Sequence, residues 1–197
     1  MKFTCQRTGN CCKHPKLWIT LTHQDLLNLI QIPEIYDDLF SNLTFLRIEN
    51  ELEKNIKEEI LEKLVLPPIE TTKGAILPAL RKKDDSFECI FLESEKKVCK
   101  IYKNRPLACR TFPFSFVEIN GKKVAVWSEL GREICKGVNF GNNISNESII
   151  NMQKEIDVVL SDYKSYISAI NEQAKLGKPL SPNEAIYTLI YVATKKK

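Results

Sequence analysis

The chain has 197 residues, enough for one domain with a buried core of its own. Hydrophobic residues make up 43% and charged residues 27%, a globular balance that excludes a disordered polymer, and no apolar run reaches the roughly 18 to 20 residues of a membrane span. The net charge is a mild +4, and the short clusters Arg81-Lys82-Lys83 and Lys195-Lys196-Lys197 read as solvated surface and tail, so nothing here predicts a nucleic-acid partner.

In chain order, the opening MKFTCQRTGNCC lacks the apolar stretch of a signal peptide, which makes a cytoplasmic location and no membrane partner the expectation. Next, WITLTHQDLLNLIQ reads as a short strand followed by a helix capped by Thr22, with Asp25 completing a capping box. Residues from about Glu34 to Leu64 carry a helical pattern with a break near Asn42. Its apolar line is Leu52, Ile56 and Ile60, and its wet face carries the pairs Glu53 with Lys57 and Glu59 with Lys63. Pro67 and Pro68 end it.

The middle of the chain alternates short extended pieces with turns. Asn120-Gly121 is a type I′ hairpin signal that sets Glu118 opposite Lys123 and Phe114 opposite Trp127. The pattern returns to helix from about Asn146 to Lys175. A last helix starts at SPNEAIYTLIYV, with Ser181 as cap, Pro182 in the first helical position and Glu184 closing the box. The expected fold class is therefore α+β and mostly helical: helices packed with a small cysteine-bearing β-hairpin element stapled by a metal site. Residues 1–140 would form the cysteine-cluster domain, and residues 141–197 would be helices packed on that same domain.

Seven cysteines stand at Cys5, Cys11, Cys12, Cys89, Cys99, Cys109 and Cys135. An odd count in a reducing compartment argues against a disulfide framework, although the cytosol of hyperthermophiles is an exception that the Lys, Glu and Ile content leaves open. Unligated core cysteines would sit at apolar periodic positions. These lie beside turn-formers and charged residues instead: Gly9-Asn10, Lys96-Lys97, Arg110 and Gly137. Nearby Lys and Arg favour thiolates, the form that binds soft metals. A structural zinc site usually takes two C-x₂₋₄-C knuckles, and neither is present. Iron–sulfur clusters accept thiolates at varied spacings. The pattern predicts a metal, with its identity open between zinc and iron–sulfur.

Other candidates are weaker. Arg105 and Arg110 flank Cys109 and could recognise a carboxylate or phosphate beside the metal, donate to cluster sulfur, or simply hold the loop through Glu and backbone carbonyls. Tyr102 with Phe112, Phe114 and Phe116 could line a pocket, but a period of two is more simply one strand face on the core. His14 is a possible substitute ligand close to Cys12, and His23, in a helix's first turn, is expected at the surface. No serine-hydrolase triad, carboxylate dyad or Gly-rich nucleotide loop can be assembled.

The segments FTCQRTGNCCKHPKLWITLTHQDLLNL, CIFLESEKKVCKIYKNRPLACRTFPF and CKG resemble the YkgJ-type cysteine-cluster family of zinc- or iron-chelating domains. That family shows an opening C-x-x-C-G-x-C-C, then C-x-F-L, C-x-I-Y, R-P-x-x-C-R-x-F-P-F and a final cysteine. The resemblance runs from Phe3 to about Gly137. It implies Cys11, Cys12, Cys89, Cys99, Cys109 and Cys135 as ligands, with Cys5 next, and an iron–sulfur cluster, [4Fe–4S], or Zn²⁺ as cofactor. Where the family has its second opening cysteine, this chain has Thr8. Adjacent ligands crowd a single ion, so Cys11 and Cys12 are not expected on the same one.

The flagellin lysine methylase resembles the chain in the same motifs. That likeness implies S-adenosylmethionine as a possible cosubstrate and a protein substrate; Arg105, Arg110 and Tyr102, by their places in the cysteine-bearing middle segment, are the candidate cofactor-binding residues. The radical C-x-x-x-C-x-x-C triplet is absent. The sequence thus carries three functional readings: a metal-dependent protein-modifying or redox enzyme, a zinc-stapled interaction module, and a metal chaperone or sensor using Cys11-Cys12 for transfer.

Overall fold

The structure is a computed structural model describing residues 1–48 and 66–195. It forms two units: Met1–Ile19 with Lys82–Asp157, and Thr20–Arg81 with Val158–Lys197. The architecture is mixed, with helices and several small antiparallel sheets. The long helix Asn146–Lys175, where the sequence predicts one, supplies residues to both units.

The second unit begins with the capped helix His23–Leu29. Thr22 N–H donates to Asp25 Oδ2 at 2.8 Å and Asp25 N–H donates to Thr22 Oγ1 at 3.3 Å, which is the predicted capping box. The preceding stretch forms a single bridge, Thr20 to Ala79, in place of the predicted strand. A three-stranded sheet follows, with Gly74–Leu80 between Leu43–Arg47 and Ile69–Thr71. The helical reading of residues 34–48 is corrected here. Helix occupies Pro33–Tyr36 and a 3₁₀ turn Phe40–Asn42, after which Leu43–Arg47 is a strand. Its five-residue pairing with Gly74–Leu80 overrides the local helical pattern. Leu52, Ile56, Ile60 and their flanking ion pairs lie outside the described residues.

The core of this unit gathers Leu21, Leu26 and Leu29 with Ile69, Ile76, Tyr163, Ile167, Ile186 and Leu189, each nearly or fully buried. The last helix, Pro182–Lys195, starts as its sequence predicts. Ser181 N–H donates to Glu184 Oε2 at 2.8 Å, and Glu184 N–H donates back to Ser181 Oγ at 3.4 Å.

The first unit is built from short pieces. Lys2–Phe3 pairs with Val138–Asn143, laying the N-terminal arm beside the strand that follows Cys135. Gly137 and Gly141 permit this approach: a Cβ at either would lie 2.4 Å or less from Thr4 atoms. Phe114–Ile119 and Lys122–Trp127 form the predicted hairpin, with Glu118 opposite Lys123 and Phe114 opposite Trp127. Asn120 and Gly121 both take positive φ, 52° and 71°, as a type I′ turn requires. Phe114 stacks on Trp127 at 4.8 Å and meets Phe3 edge-on at 5.4 Å. Among the described residues this unit buries few apolar side chains: Phe91, Leu92, Ile101, Leu107 and Phe114, with Pro106 and Pro113.

Candidate metal centre

All seven cysteines belong to the first unit, although the chain leaves it between Ile19 and Lys82, with Thr20–Arg81 belonging to the second unit. None forms a disulfide. Each is fixed by a turn, a cap or a strand end. Cys11 and Cys12 sit on the single helical turn Asn10–Lys13, entered through Gly9 at φ 74°. Cys89 N–H donates to Cys12 O at 2.7 Å, tying the opening segment directly to the middle one. Cys99 pairs with Leu92 in a two-residue ladder. Cys109 N–H donates to Pro106 O at 2.9 Å in the helix Leu107–Thr111, and Cys135 caps the helix Glu129–Ile134. Cys5 is exposed and the other six are half-buried.

The thiols lie within electrostatic reach of one another. Cys11 and Cys12 are 3.9 Å apart at sulfur. The Cys12 thiol's hydrogen bond lowers Cys11 to about 7, against the opposing effect of burial, with the Arg105 charge assisting. Cys12 is held protonated by that same hydrogen bond, then by burial and the charges of Cys11, Cys89 and Cys109. Burial pushes Cys89 up to about 11, and the charges of Cys99 and Cys11 add to it. Burial also raises Cys99 and Cys135, with Cys11 acting on both and Cys5 on Cys135. Thr8, at the position of the family's missing cysteine, is occupied locally: its hydroxyl accepts from Asn10 N–H at 3.4 Å.

Cations border the cluster. Arg105 stacks 3.8 Å from the Tyr102 ring centroid, its Nε donates to Tyr102 O at 3.0 Å, and its charge favours the thiolates of Cys11 and Cys99. Arg7 lies 4.7 Å from the same ring, a contact that no sequence signal announced. Arg110 is tied to Arg105 O at 3.1 Å and pairs with Glu155. Sequence reasoning also missed Glu88, which bridges Lys13 at 2.8 Å and Lys83 at 3.0 Å and so pins both cysteine-bearing segments. Lys82 does similar work by donating to the His14 and Pro15 carbonyls at 3.0 and 2.9 Å.

The histidines part company. His14 Nδ1, two residues beyond Cys12, is buried with no hydrogen-bond partner among the described residues. His23, expected at the surface, is corrected to a buried position in the second unit. Its ring packs edge-on against Tyr166 at 4.9 Å and faces Tyr163 at 6.4 Å.

Seven thiols and one orphaned imidazole nitrogen form a soft donor set, suited to zinc or iron–sulfur and not to magnesium or calcium. Among the described residues, no group of three or more His, Cys, Asp or Glu side chains is arranged to hold a single ion. The residues fit a thiolate-bound group by their chemistry and by their shared location.

Comparison with known proteins agrees. A segment of 55 residues is 42% identical to Uncharacterized protein MJ0661 of Methanocaldococcus jannaschii, covering 28% of this chain and 30% of that relative. The chain thus matches under a third of the length of that curated relative. No solved structure matches the chain. Residues 4–136 match the CxxCxxCC profile, described as "Putative zinc- or iron-chelating domain". The cysteines gathered in the first unit and this match, over well more than half of the sequence, place the chain in one family: it belongs to the CxxCxxCC zinc- or iron-chelating domains.

Proposed function

We propose that the first unit is a thiolate metal centre that staples the opening segment to the middle of the chain, with a [4Fe–4S] cluster as the bound group. One observation carries this reading. The unit holds all seven thiols, yet among the described residues its buried apolar side chains are few: Phe91, Leu92, Ile101, Leu107 and Phe114 with Pro106 and Pro113. So thin a core needs a staple, and metal-binding free energy is then folding free energy. Thiols in mutual electrostatic reach suit a thiolate-bound group, and iron–sulfur clusters accept thiolates at varied sequence spacings. When bound, such a cluster supplies one-electron chemistry or an open iron site.

A zinc-stapled interaction module is the second reading, and a specific distance favours it. Tetrahedral zinc with Zn–S bonds of about 2.3 Å sets neighbouring sulfurs about 3.8 Å apart. The Cys11 and Cys12 sulfurs are 3.9 Å apart, the spacing a shared ion would need against the crowding expected of adjacent ligands. Anaerobic purification with quantification of iron, acid-labile sulfide and zinc separates the two. Brown protein with equimolar iron and sulfide is expected. Colourless protein with stoichiometric zinc would overturn the cluster.

The finer reading, S-adenosylmethionine-dependent methyl transfer to a protein lysine, is supported by the motif likeness to flagellin lysine methylase. The Arg105–Tyr102 stack beside the thiols adds a guanidinium for a carboxylate and a ring for stacking. Equilibrium dialysis with S-adenosylmethionine tests it. Saturable binding weakened by Arg105→Ala is expected, and absence of binding would remove the methyl-transfer reading while leaving the metal centre untouched.

A further inference from the structure

His14 and His23 are the two histidines of the chain, and His14 is the one that belongs to the first unit. Its Nδ1 is buried with no hydrogen-bond partner among the described residues. Buried polar atoms are as a rule paired, and one that the protein leaves unpaired points to a ligand.

A closed ring of contacts holds His14 beside two cysteine-bearing segments. The residue caps the helical turn Asn10–Lys13, which carries Cys11 and Cys12. Its carbonyl accepts from Lys82 Nζ at 3.0 Å and from Leu17 N–H at 3.3 Å. Lys82 is paired with Cys89 in an antiparallel bridge, and Cys89 N–H donates to Cys12 O at 2.7 Å. The path from Cys12 through His14, Lys82 and Cys89 therefore returns to Cys12. Lys82 secures it further, since its ammonium bonds Pro15 O at 2.9 Å and lies 4.3 Å from the Trp18 ring centroid.

The chemistry of the donor agrees with that placement. A neutral imidazole nitrogen binds zinc and iron alongside thiolates. The chain reads C-x-x-T-x-x-C-C from Cys5 to Cys12 where the matched profile is CxxCxxCC, so Thr8 brings a hydroxyl in place of a thiol. That hydroxyl already accepts from Asn10 N–H. His14 is then a nitrogen donor in a segment that is one sulfur short.

We propose that His14 Nδ1 is a ligand of the metal centre, a nitrogen donor among its thiolates. The proposal rests on the reading of the first unit as a metal centre, and the two can fail separately. The test uses the full chain, purified anaerobically with isotopically labelled histidine, and begins with its zinc and iron content. For zinc, X-ray absorption at the metal edge reads the bond through the outer-shell signature of an imidazole. For iron, pulsed EPR of the reduced cluster reads it through coupling to the labelled nitrogen. Either signal is expected in the parent and should vanish in His14→Ala. That variant should also hold its metal at least about tenfold more weakly against a competing chelator, since even groups that only orient ligands are worth that much. The parent measurement decides the matter even if the variant fails to fold. An all-sulfur shell, or no nitrogen coupling, in metal-loaded parent overturns the proposal and leaves the metal centre standing. A signal that survives in His14→Ala, or an unchanged metal affinity, overturns it equally. A parent that takes up neither zinc nor iron overturns both readings.

Discussion

The two units reach order by different means. In the second, a three-stranded sheet and long helical segments bury residues such as Leu21, Ile76, Tyr163, Ile186 and Leu189 almost completely. In the first, two-residue strands, single turns and capped ends carry seven thiols over a core of few apolar side chains. The second unit is stabilised by area removed from water. The first leaves its short elements without enough burial to order them, and cross-links must supply the difference. The contrast teaches where a metal would matter and where it would not.

The largest expected effect is removal of the metal. Trp18 and Trp127, the only two tryptophans, both belong to the first unit, so tryptophan fluorescence reports on it alone. Anaerobic chelation should change that fluorescence strongly while far-UV helicity, to which Asn146–Lys175 and Pro182–Lys195 contribute most among the described residues, is largely kept. Unchanged fluorescence after complete metal loss would break the comparison. The reverse experiment is Leu189→Ala, which empties a fully buried position of the second unit. It should cost about 2–5 kcal/mol by denaturant unfolding and leave metal content per chain at the parent value.

Thr22→Ala removes one half of a buried capping box and should cost about 1 kcal/mol, again without metal loss. Smallest is a pH effect in the first unit. Lys13, Ser94 and Lys83 hold the Glu88 carboxylate down to about 2, below the usual 4.5. A depressed carboxylate stabilises the fold fully above its unfolded value and loses that contribution as pH falls through the folded one. The parent should therefore exceed Glu88→Gln in stability near pH 6 and converge with it as pH falls toward 2. A constant gap across that range would show that Glu88 acts by packing and not by charge.

Local signals were the legible ones. The Asn120-Gly121 hairpin and the Thr22 and Ser181 boxes are written within a few residues, and the structure places them as read. The strand Leu43–Arg47 was not legible, because its partner lies some thirty residues on and carries Pro78, a residue that argues against a strand between two neighbours. His23 looked exposed by position in its helix, yet Tyr163 and Tyr166, far along the chain, cover it. At the candidate site, the family could be read from the cysteine motifs, with the residues 4–136 match covering them all. The Arg7–Tyr102 contact and the Glu88 bridge could not, since both join segments that only the fold brings together.

The account's central claim is that thiols from both parts of the first unit hold one metal centre that the unit needs. Metal content per chain in anaerobically purified Cys109→Ser, set beside the parent and Leu189→Ala, tests it most directly. The prediction is that Cys109→Ser loses its metal together with the tryptophan signal of the folded first unit, while Leu189→Ala keeps both. Cys109→Ser with full metal content and an unchanged tryptophan spectrum would contradict it.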